Sequence, residues 1–243
     1  NGTRYTYKSD YDILVVTRGK EEMGNWVIPQ VRSLLRKEEG IGGVSVIHHT
    51  LNFLNERIKN QYYFFLDVFR QGILLYDAGR QSLESPRGVT PKIRLEKARE
   101  EFDYWFVKAD QFYEYFQMAF GKKHHNNAAF LLHQSTESYY AALMLVYTDY
   151  KAKTHDLEEI NSIASKLDEA LKEVFPCRTE EEEHHFELLR KAYKDARYRK
   201  DYTITPGELQ YLSERVLLLR ELTEKLCKEE MQRLTEATPS PNS

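Results

Sequence analysis

Residues 128–146 read AAFLLHQSTESYYAALMLV, and this stretch decides the fold of the larger part of the chain. Apolar and small residues recur there at helical spacing, through Ala128, Leu131, Leu132, Tyr139 and Val146. A 3.6-residue period is typical of an amphipathic helix. Similar spacing continues on both sides, from Phe102 to Leu226. The sequence therefore predicts an all-α antiparallel bundle of five helices over residues 96–232.

Local signals mark where the later helices begin. Thr179 with Glu182, and Thr205 with Glu208, have the spacing of a capping box, in which two side chains bond the free amide groups of a first turn. Pro206 occupies the first helical position after Thr205, where its missing N–H costs nothing. These signals predict the starts of the fourth and fifth helices. The third is predicted over Leu157–Leu171.

The first third of the chain follows a different pattern. Strand-like and helix-like segments alternate there, which predicts a partial α/β domain over residues 1–80. Residues 81–95 are rich in turn-forming residues and predict a linker, and residues 233–243 predict a disordered tail. The fold class is therefore α+β with two domains. The predicted elements of the first domain are a strand at Asp10–Thr17, a helix at Glu22–Glu38, a strand at Val44–His49 and a helix at Leu51–Ile58.

Composition limits the class of protein. The 243 residues carry a formal net charge of -3, which argues against a surface that coats nucleic acid generally but allows a local basic patch. No apolar run approaches the ~18–20 residues that span a bilayer, so no membrane partner is expected. Cys177 and Cys227 lack metal-type spacing. We therefore expect a cytoplasmic protein.

Asp10 and Asp12 stand two residues apart at the start of an apolar strand. Residues two apart on a strand project to the same face, and two neighbouring carboxylates repel unless a cation lies between them. This pattern predicts a Mg²⁺ or Mn²⁺ site at Asp10 and Asp12. Asp67, between aromatic and aliphatic residues, is the candidate third carboxylate.

The segment from Ser9 to Val16, with Gly2-Thr3 before it, resembles the minimal nucleotidyltransferases of the polymerase-beta-like superfamily. The resemblance implies Mg²⁺-dependent transfer of a nucleoside monophosphate from an NTP to a hydroxyl of a protein, an RNA or a small molecule. Asp10 and Asp12 would then hold the metal and Asp67 would assist the nucleophile. The family often places its third acid on the strand after the first helix, and the strand at Val44–His49 contains none. If that strand is the equivalent one, the resemblance implies a site of two carboxylates only. The Gly-Ser turn of that family does not precede Asp10. We expect a fragment that lacks the turn; the alternative is loss of the phosphate-binding half.

Residues 95–230 resemble the HEPN domain, which is often fused to such a transferase. Three segments carry the resemblance: Phe130–Glu137, Thr154–Leu157 and Ala192–Tyr198. The family pairs an Arg with a His four to six residues later for metal-independent RNA cleavage. Arg197 matches the Arg, but Tyr202 stands where the His is expected.

A phenol with pKa near 10 is a poor base at neutral pH, so we expect no ribonuclease activity from the bundle. The candidate nucleotide- or RNA-binding residues are Arg197, Arg199, Lys200 and Tyr202, in a cationic cluster with Arg190 and Lys194. Alternatively, this segment is a solvated basic helix end that complements the helix dipole.

His133 lies on the apolar stripe of the second helix, and we expect a buried, hydrogen-bonded histidine rather than a catalytic one. Two functions follow from these observations. The first is an NMP-transferring enzyme that uses Mg²⁺. The second is a non-catalytic nucleotide- or RNA-binding regulatory protein of toxin–antitoxin type. Both would act as homodimers through the bundle, with NTP and an RNA or protein acceptor as the expected partners.

Overall fold

In a computed structural model of the protein, the chain forms two compact units, Asn1–Gly88 and Val89–Ser243. The structure describes residues 11–18, 28–30, 33, 44–60, 62–79, 82–84, 90–151 and 154–238. No helix in these residues is both long and apolar enough to cross a membrane.

The first unit contains two parallel strands followed by two helices. Strand β1 (Tyr11–Thr17) pairs with β2 (Val44–Thr50), with Tyr11 opposite Val44 and Thr17 opposite Thr50. This small parallel sheet confirms an N-terminal α/β region. Most of the helix predicted at Glu22–Glu38 lies outside the described residues, although residues 28–30 are helical.

Helix α1 (Leu51–Lys59) begins where β2 ends, because the Thr50 hydroxyl accepts a hydrogen bond from the Phe53 N–H. Helix α2 (Tyr63–Gln71) follows after a short connection. A small apolar core holds the unit together through β2, α1 and α2, with Val46, Leu54, Ile58, Phe65 and Leu66.

The second unit is a helical bundle. It contains α3 (Pro91–Gly121), α4 (His125–Thr148), α5 (Leu157–Ala164), a 3₁₀ helix (Glu169–Glu173), α6 (Glu180–Ala192), α7 (Asp195–Tyr198) and α8 (Pro206–Glu236). Both predicted capping boxes, at Thr179 and at Thr205, are present. A helical bundle is thus confirmed. The described residues of this unit contain six α-helices and one 3₁₀ helix where five helices were predicted, because the predicted third and fourth helices each divide, the fourth after Ala192.

Helix α3 begins at Pro91, inside the segment predicted as linker, because the Thr90 side chain accepts the Ile93 N–H and a proline at the first helical position needs no partner. The predicted third helix divides after Ala164, where Asp168 adopts an extended conformation and caps the 3₁₀ helix. Helix α8 continues to Glu236, into the segment predicted as a disordered tail, and residues 239–243 lie outside the described part of the chain.

Helix α4 occupies the centre of the bundle. It contacts α3, α5, α6, α7 and α8, and its side chains are buried almost continuously from Leu132 to Met144. Most of these side chains are apolar or small, but His133 and Glu137 are among them. Since burying a polar or charged group costs free energy unless it is paired, the fold must supply partners for both.

Candidate nucleotide-binding site

Glu137 is a nearly buried carboxylate, only 9% exposed, on the central helix α4. Both of its oxygens lie 3.0 Å from Nδ1 of His155, and Oε2 accepts a bond from Nε2 of Gln134 at 3.3 Å. Lys151 Nζ lies 3.8 Å from Oε1. Gln134 lies on α4 itself, whereas His155 and Lys151 come from the connection between α4 and α5. Their contacts with the carboxylate therefore hold that connection against α4.

His133 lies one helical turn before Glu137 and is fully buried. Its Nδ1 is 2.9 Å from the Leu189 carbonyl of α6. Because a carbonyl oxygen can only accept, Nδ1 carries the proton, and Nε2 of the neutral ring faces Glu137 Oε2 at 3.7 Å. Burial has the largest effect on the pKa of His133 and lowers it. The contacts with the Leu189 carbonyl and with Glu137 act in the opposite direction. His133 is therefore a neutral, structural histidine that ties α4 to α6, as the sequence suggests.

His155 connects this buried cluster to the surface. Its side chain is about half exposed, and its ring stacks on Tyr193 with centroids 4.2 Å apart and an interplanar angle of 13°. Since Nδ1 faces the Glu137 carboxylate, Nε2 is the ring nitrogen left to meet a ligand. The Tyr193 ring also lies 5.3 Å from His133. Glu137, His133, His155 and Lys151 are called the Glu137 cluster below.

Arg197, in the short helix α7, lies next to this cluster. Its Nε donates to the Tyr193 carbonyl at 2.6 Å, and its guanidinium carbon lies 4.7, 4.6 and 4.9 Å from the ring centres of Phe130, Tyr193 and Tyr198. The side chain is exposed, and within the described residues no carboxylate pairs with it. Arg197 with these three aromatic residues is called the Arg197 platform. It offers a planar cation and aromatic faces together, a combination suited to a nucleotide.

The other predicted cations differ in how they are paired. Arg190 contacts three carboxylates, those of Asp156, Glu158 and Glu187, and is therefore neutralised within the bundle. Arg199 lies 3.7 Å from Asp195 and 4.0 Å from Asp201. The positive charges of Arg190 and Arg199 are therefore largely compensated by neighbouring carboxylates.

Lys194 and Lys200 are exposed, and in the part of the chain that the structure describes neither pairs with a carboxylate. The cationic cluster predicted from sequence is thus reduced to Arg197 and these two lysines.

Tyr202 does not face a ligand. Its side chain is 7% exposed, and its hydroxyl donates to the Leu188 carbonyl at 3.0 Å. The backbone carbonyl of Tyr202 accepts a hydrogen bond from the Asn126 side chain. Burial raises the pKa of Tyr202 further above its ordinary value. The residue at the position of the family's base is therefore a core residue that ties the chain after α7 to α6, and it has no place in the Arg197 platform.

The predicted carboxylates of the first unit are only partly described. Asp12 is exposed at the beginning of β1. Asp67 is exposed on the outward side of α2, and this position explains why an acid occurs there among apolar residues. Asp10 lies outside the described residues. Among the residues that are described, no three His, Cys, Asp or Glu side chains are grouped as metal ligands. The magnesium site predicted at Asp10 and Asp12 therefore stays a prediction.

Sequence reasoning missed Glu137, His155, Lys151, Phe130 and Tyr193 as site residues. A signal was available, because most of them lie in the three segments that carry the HEPN resemblance, Phe130–Glu137, Thr154–Leu157 and Ala192–Tyr198. The structure brings these segments together through the Glu137–His155 and His155–Tyr193 contacts.

Comparison with known protein families supports the same reading of the bundle. Residues 102–226, just over half of the chain, match the HEPN domain. The match includes α4, α5, α6, α7 and most of α3 and α8, and so contains the whole Glu137 cluster and the Arg197 platform. No curated protein sequence matches the chain.

Proposed function

Because this chain belongs to the HEPN domain family, we propose that its bundle binds a nucleotide or the nucleotides of an RNA at the Arg197 platform. In this proposal the bundle binds nucleotide in a regulatory role and catalyses no reaction on it. One observation carries it: the Arg197 guanidinium is exposed against three aromatic rings and has no carboxylate partner in the described residues.

The chemistry of the platform suits both parts of a nucleotide. A guanidinium presents a rigid fork of N–H donors to phosphate oxygens. The Tyr198 ring is 72% exposed, which leaves room for a base to stack on it. His155, held at Nδ1 by Glu137, adds a ring nitrogen at the edge of the platform. The buried Tyr202 supplies no proton acceptor, so binding without RNA cleavage by the family's Arg–His pair is the expected outcome.

Replacing Arg197 by alanine should weaken binding of ATP about ten- to hundred-fold, the effect expected when a charged hydrogen-bond donor to phosphate is lost. Arg197→Lys should recover only part of the affinity, because an ammonium cannot form the planar fork or stack in the same way. Titration calorimetry in EDTA measures both, so that a metal site elsewhere does not contribute.

Arg199→Ala is the matched control, since Arg199 is two residues away and its charge is already compensated by Asp195 and Asp201. Equal affinities for the wild-type protein and Arg197→Ala would refute binding at the platform.

For the first unit we propose nucleotidyl transfer from an NTP with Mg²⁺, on Asp10 and Asp12 and with Asp67 as the candidate third acid. What supports it is the Asp-x-Asp pattern together with the exposure of Asp12 at the start of a strand in a parallel pair. The acceptor hydroxyl and the choice of NTP belong to the same proposal.

We expect Asp12→Asn to abolish both the Mg²⁺-dependent thermal shift with NTP and the incorporation of label from an α-labelled NTP. Asp77→Asn is the control, because Asp77 is an exposed carboxylate of the same unit that caps a turn by accepting the Gly79 N–H. A thermal shift retained in Asp12→Asn would remove Asp12 from the proposed site.

A further inference from the structure

The connection after α2 exposes four consecutive large apolar side chains. Ile73, Leu74, Leu75 and Tyr76 are 86%, 78%, 77% and 83% exposed, and the backbone there is neither helical nor part of a strand. Single apolar residues are common on protein surfaces, but a contiguous exposed patch of them marks an interaction site. Residues 73–76 are called the apolar segment below.

A hydrogen bond bounds the apolar segment at each end. Before it, the Gly72 N–H donates to the Val68 carbonyl at 2.8 Å, and the Gly72 backbone is extended. A side chain at Gly72 would collide with that carbonyl oxygen, so this exit from α2 requires a glycine. After it, the Asp77 carboxylate accepts the Gly79 N–H at 2.8 Å in a turn. The segment therefore leaves α2 in a defined direction and ends at a turn.

The sequence of the apolar segment suits a strand that is covered on both faces. Successive side chains of an extended chain point to opposite faces, so Ile73 and Leu75 would share one face and Leu74 and Tyr76 the other. Both faces are then apolar. In the part of the chain that the structure describes, residues 73–76 make no backbone-to-backbone hydrogen bond. A strand beside the segment would pair these backbone groups and cover the apolar side chains with its own.

Charged side chains of opposite sign lie on the two sides of the apolar segment. Arg70 is exposed in the last turn of α2, and Asp77 is exposed directly after Tyr76. If a second copy of the segment pairs in the antiparallel direction, Arg70 of each chain lies at the Asp77 end of the other. A parallel pair would instead bring like charges together, which is unfavourable. The order of the charges therefore favours a second copy of this chain, in the antiparallel direction, as the partner.

We propose that two copies of this chain associate through the apolar segment, which pairs with itself as two antiparallel strands. Four side chains of this size and exposure present on the order of 500 Å² per chain. Two chains together would bury about 1,000 Å², the lower limit for a specific interface. Such a small interface should be reversible, with a dissociation constant on the order of micromolar to tens of micromolar. The site lies in the first unit and is separate from the association through the bundle that the sequence predicts.

Sedimentation velocity of the full chain, from about 1 to 100 µM, tests this association. At the upper concentrations the wild type should approach twice the mass of Leu74→Asp/Leu75→Asp, because the variant would bring four carboxylates between the paired strands. Both leucines are exposed in the single chain, so the substitutions should leave its circular dichroism unchanged. Equal masses of the two proteins at every concentration would overturn the proposal.

Met118→Asp is the matched control, because Met118 is an apolar side chain of the bundle that is 57% exposed on α3. This variant should associate as the wild type does. If Met118→Asp lowers the mass and the variant of the apolar segment does not, the chains associate through the bundle and the proposal is wrong.

Cross-linking tests the direction of pairing. The antiparallel register that keeps Asp77 outside the pair places Leu74 opposite its own copy. Opposite Cα atoms in such a pair are about 4.5–5.5 Å apart, within the range that a disulfide spans. Leu74→Cys should therefore form a covalent dimer on mild oxidation. Leu83→Cys, at an apolar position outside the segment that is 37% exposed, should not exceed the wild-type background. Absence of the covalent dimer in Leu74→Cys would overturn the antiparallel pairing.

Discussion

Glu137→Ala should lower the free energy of unfolding of the bundle by about 2–3 kcal/mol. The substitution removes the carboxylate that faces His155, Lys151 and Gln134, and leaves the buried His133 Nε2 beside an empty volume. Breaking a fully buried ion pair costs about 3–5 kcal/mol. The lower figure applies here because the His155 and Lys151 side chains reach solvent and can recover part of their hydration. Urea denaturation followed by far-UV circular dichroism measures the change.

Two further variants separate charge from shape at this position. Glu137→Gln keeps an oxygen that can accept the His155 N–H and should cost about half as much. Glu158→Ala removes an exposed glutamate from the surface pair with Arg190 and should cost at most about 1 kcal/mol. If Glu137→Ala proves as stable as Glu158→Ala, the Glu137 cluster does not contribute to holding the bundle together.

His133→Asn should flatten the loss of stability between pH 7 and pH 5. The pKa of His133 is lowered in the folded chain, chiefly by burial, so the unfolded chain binds this proton more readily. Stability from the neutral ring is therefore fully present above the ordinary histidine pKa near 6.5 and is lost as the pH falls below it. One proton taken up on unfolding gives a slope of at most about 1.4 kcal/mol per pH unit. The difference between the proteins at pH 5 is then about 2 kcal/mol at most.

Asparagine is the suitable replacement because its amide can still donate to the Leu189 carbonyl but does not titrate. The ionisable groups around the ring, Glu137, His155 and Arg197, are present in both proteins. The exposed His124 provides the control: His124→Asn should follow the wild-type pH profile. Parallel profiles for His133→Asn and the wild type would show that His133 takes up no proton on unfolding.

The helices of the bundle could be predicted because their signals are local. Capping boxes at Thr179 and Thr205 need only three residues of spacing, and the apolar period of α4 needs only its own sequence. The division after Ala164 was not predicted, since Leu167 and Leu171 continue the helical period while Asp168 interrupts the backbone. Apolar spacing indicates which side chains are buried. It does not distinguish an α-helix from a 3₁₀ helix, because turns of both kinds can bury them.

The site was harder to predict because its chemistry depends on pairing. Arg190 and Arg197 look equivalent in the sequence, yet one meets three carboxylates and the other meets aromatic rings. Glu137 and His155 are 18 positions apart, and His133 and Leu189 are 56 apart, so no local pattern could join them. Tyr202 illustrates the same limit. It stands five residues after Arg197, where the family pattern expects a catalytic residue, but its hydroxyl donates to the Leu188 carbonyl instead of facing a ligand.

The central position of α4 has a consequence for how the molecule moves. Its backbone amides are enclosed by five other helices, so exchange of their hydrogens with solvent requires opening of most of the bundle rather than fraying of one element. Arg197, by contrast, extends from the four-residue helix α7, which can open at far lower cost. A ligand of the Arg197 platform therefore contacts both the rigid helix α4 and the more mobile helix α7. Its binding should slow hydrogen exchange in α7 and leave exchange in α4 unchanged.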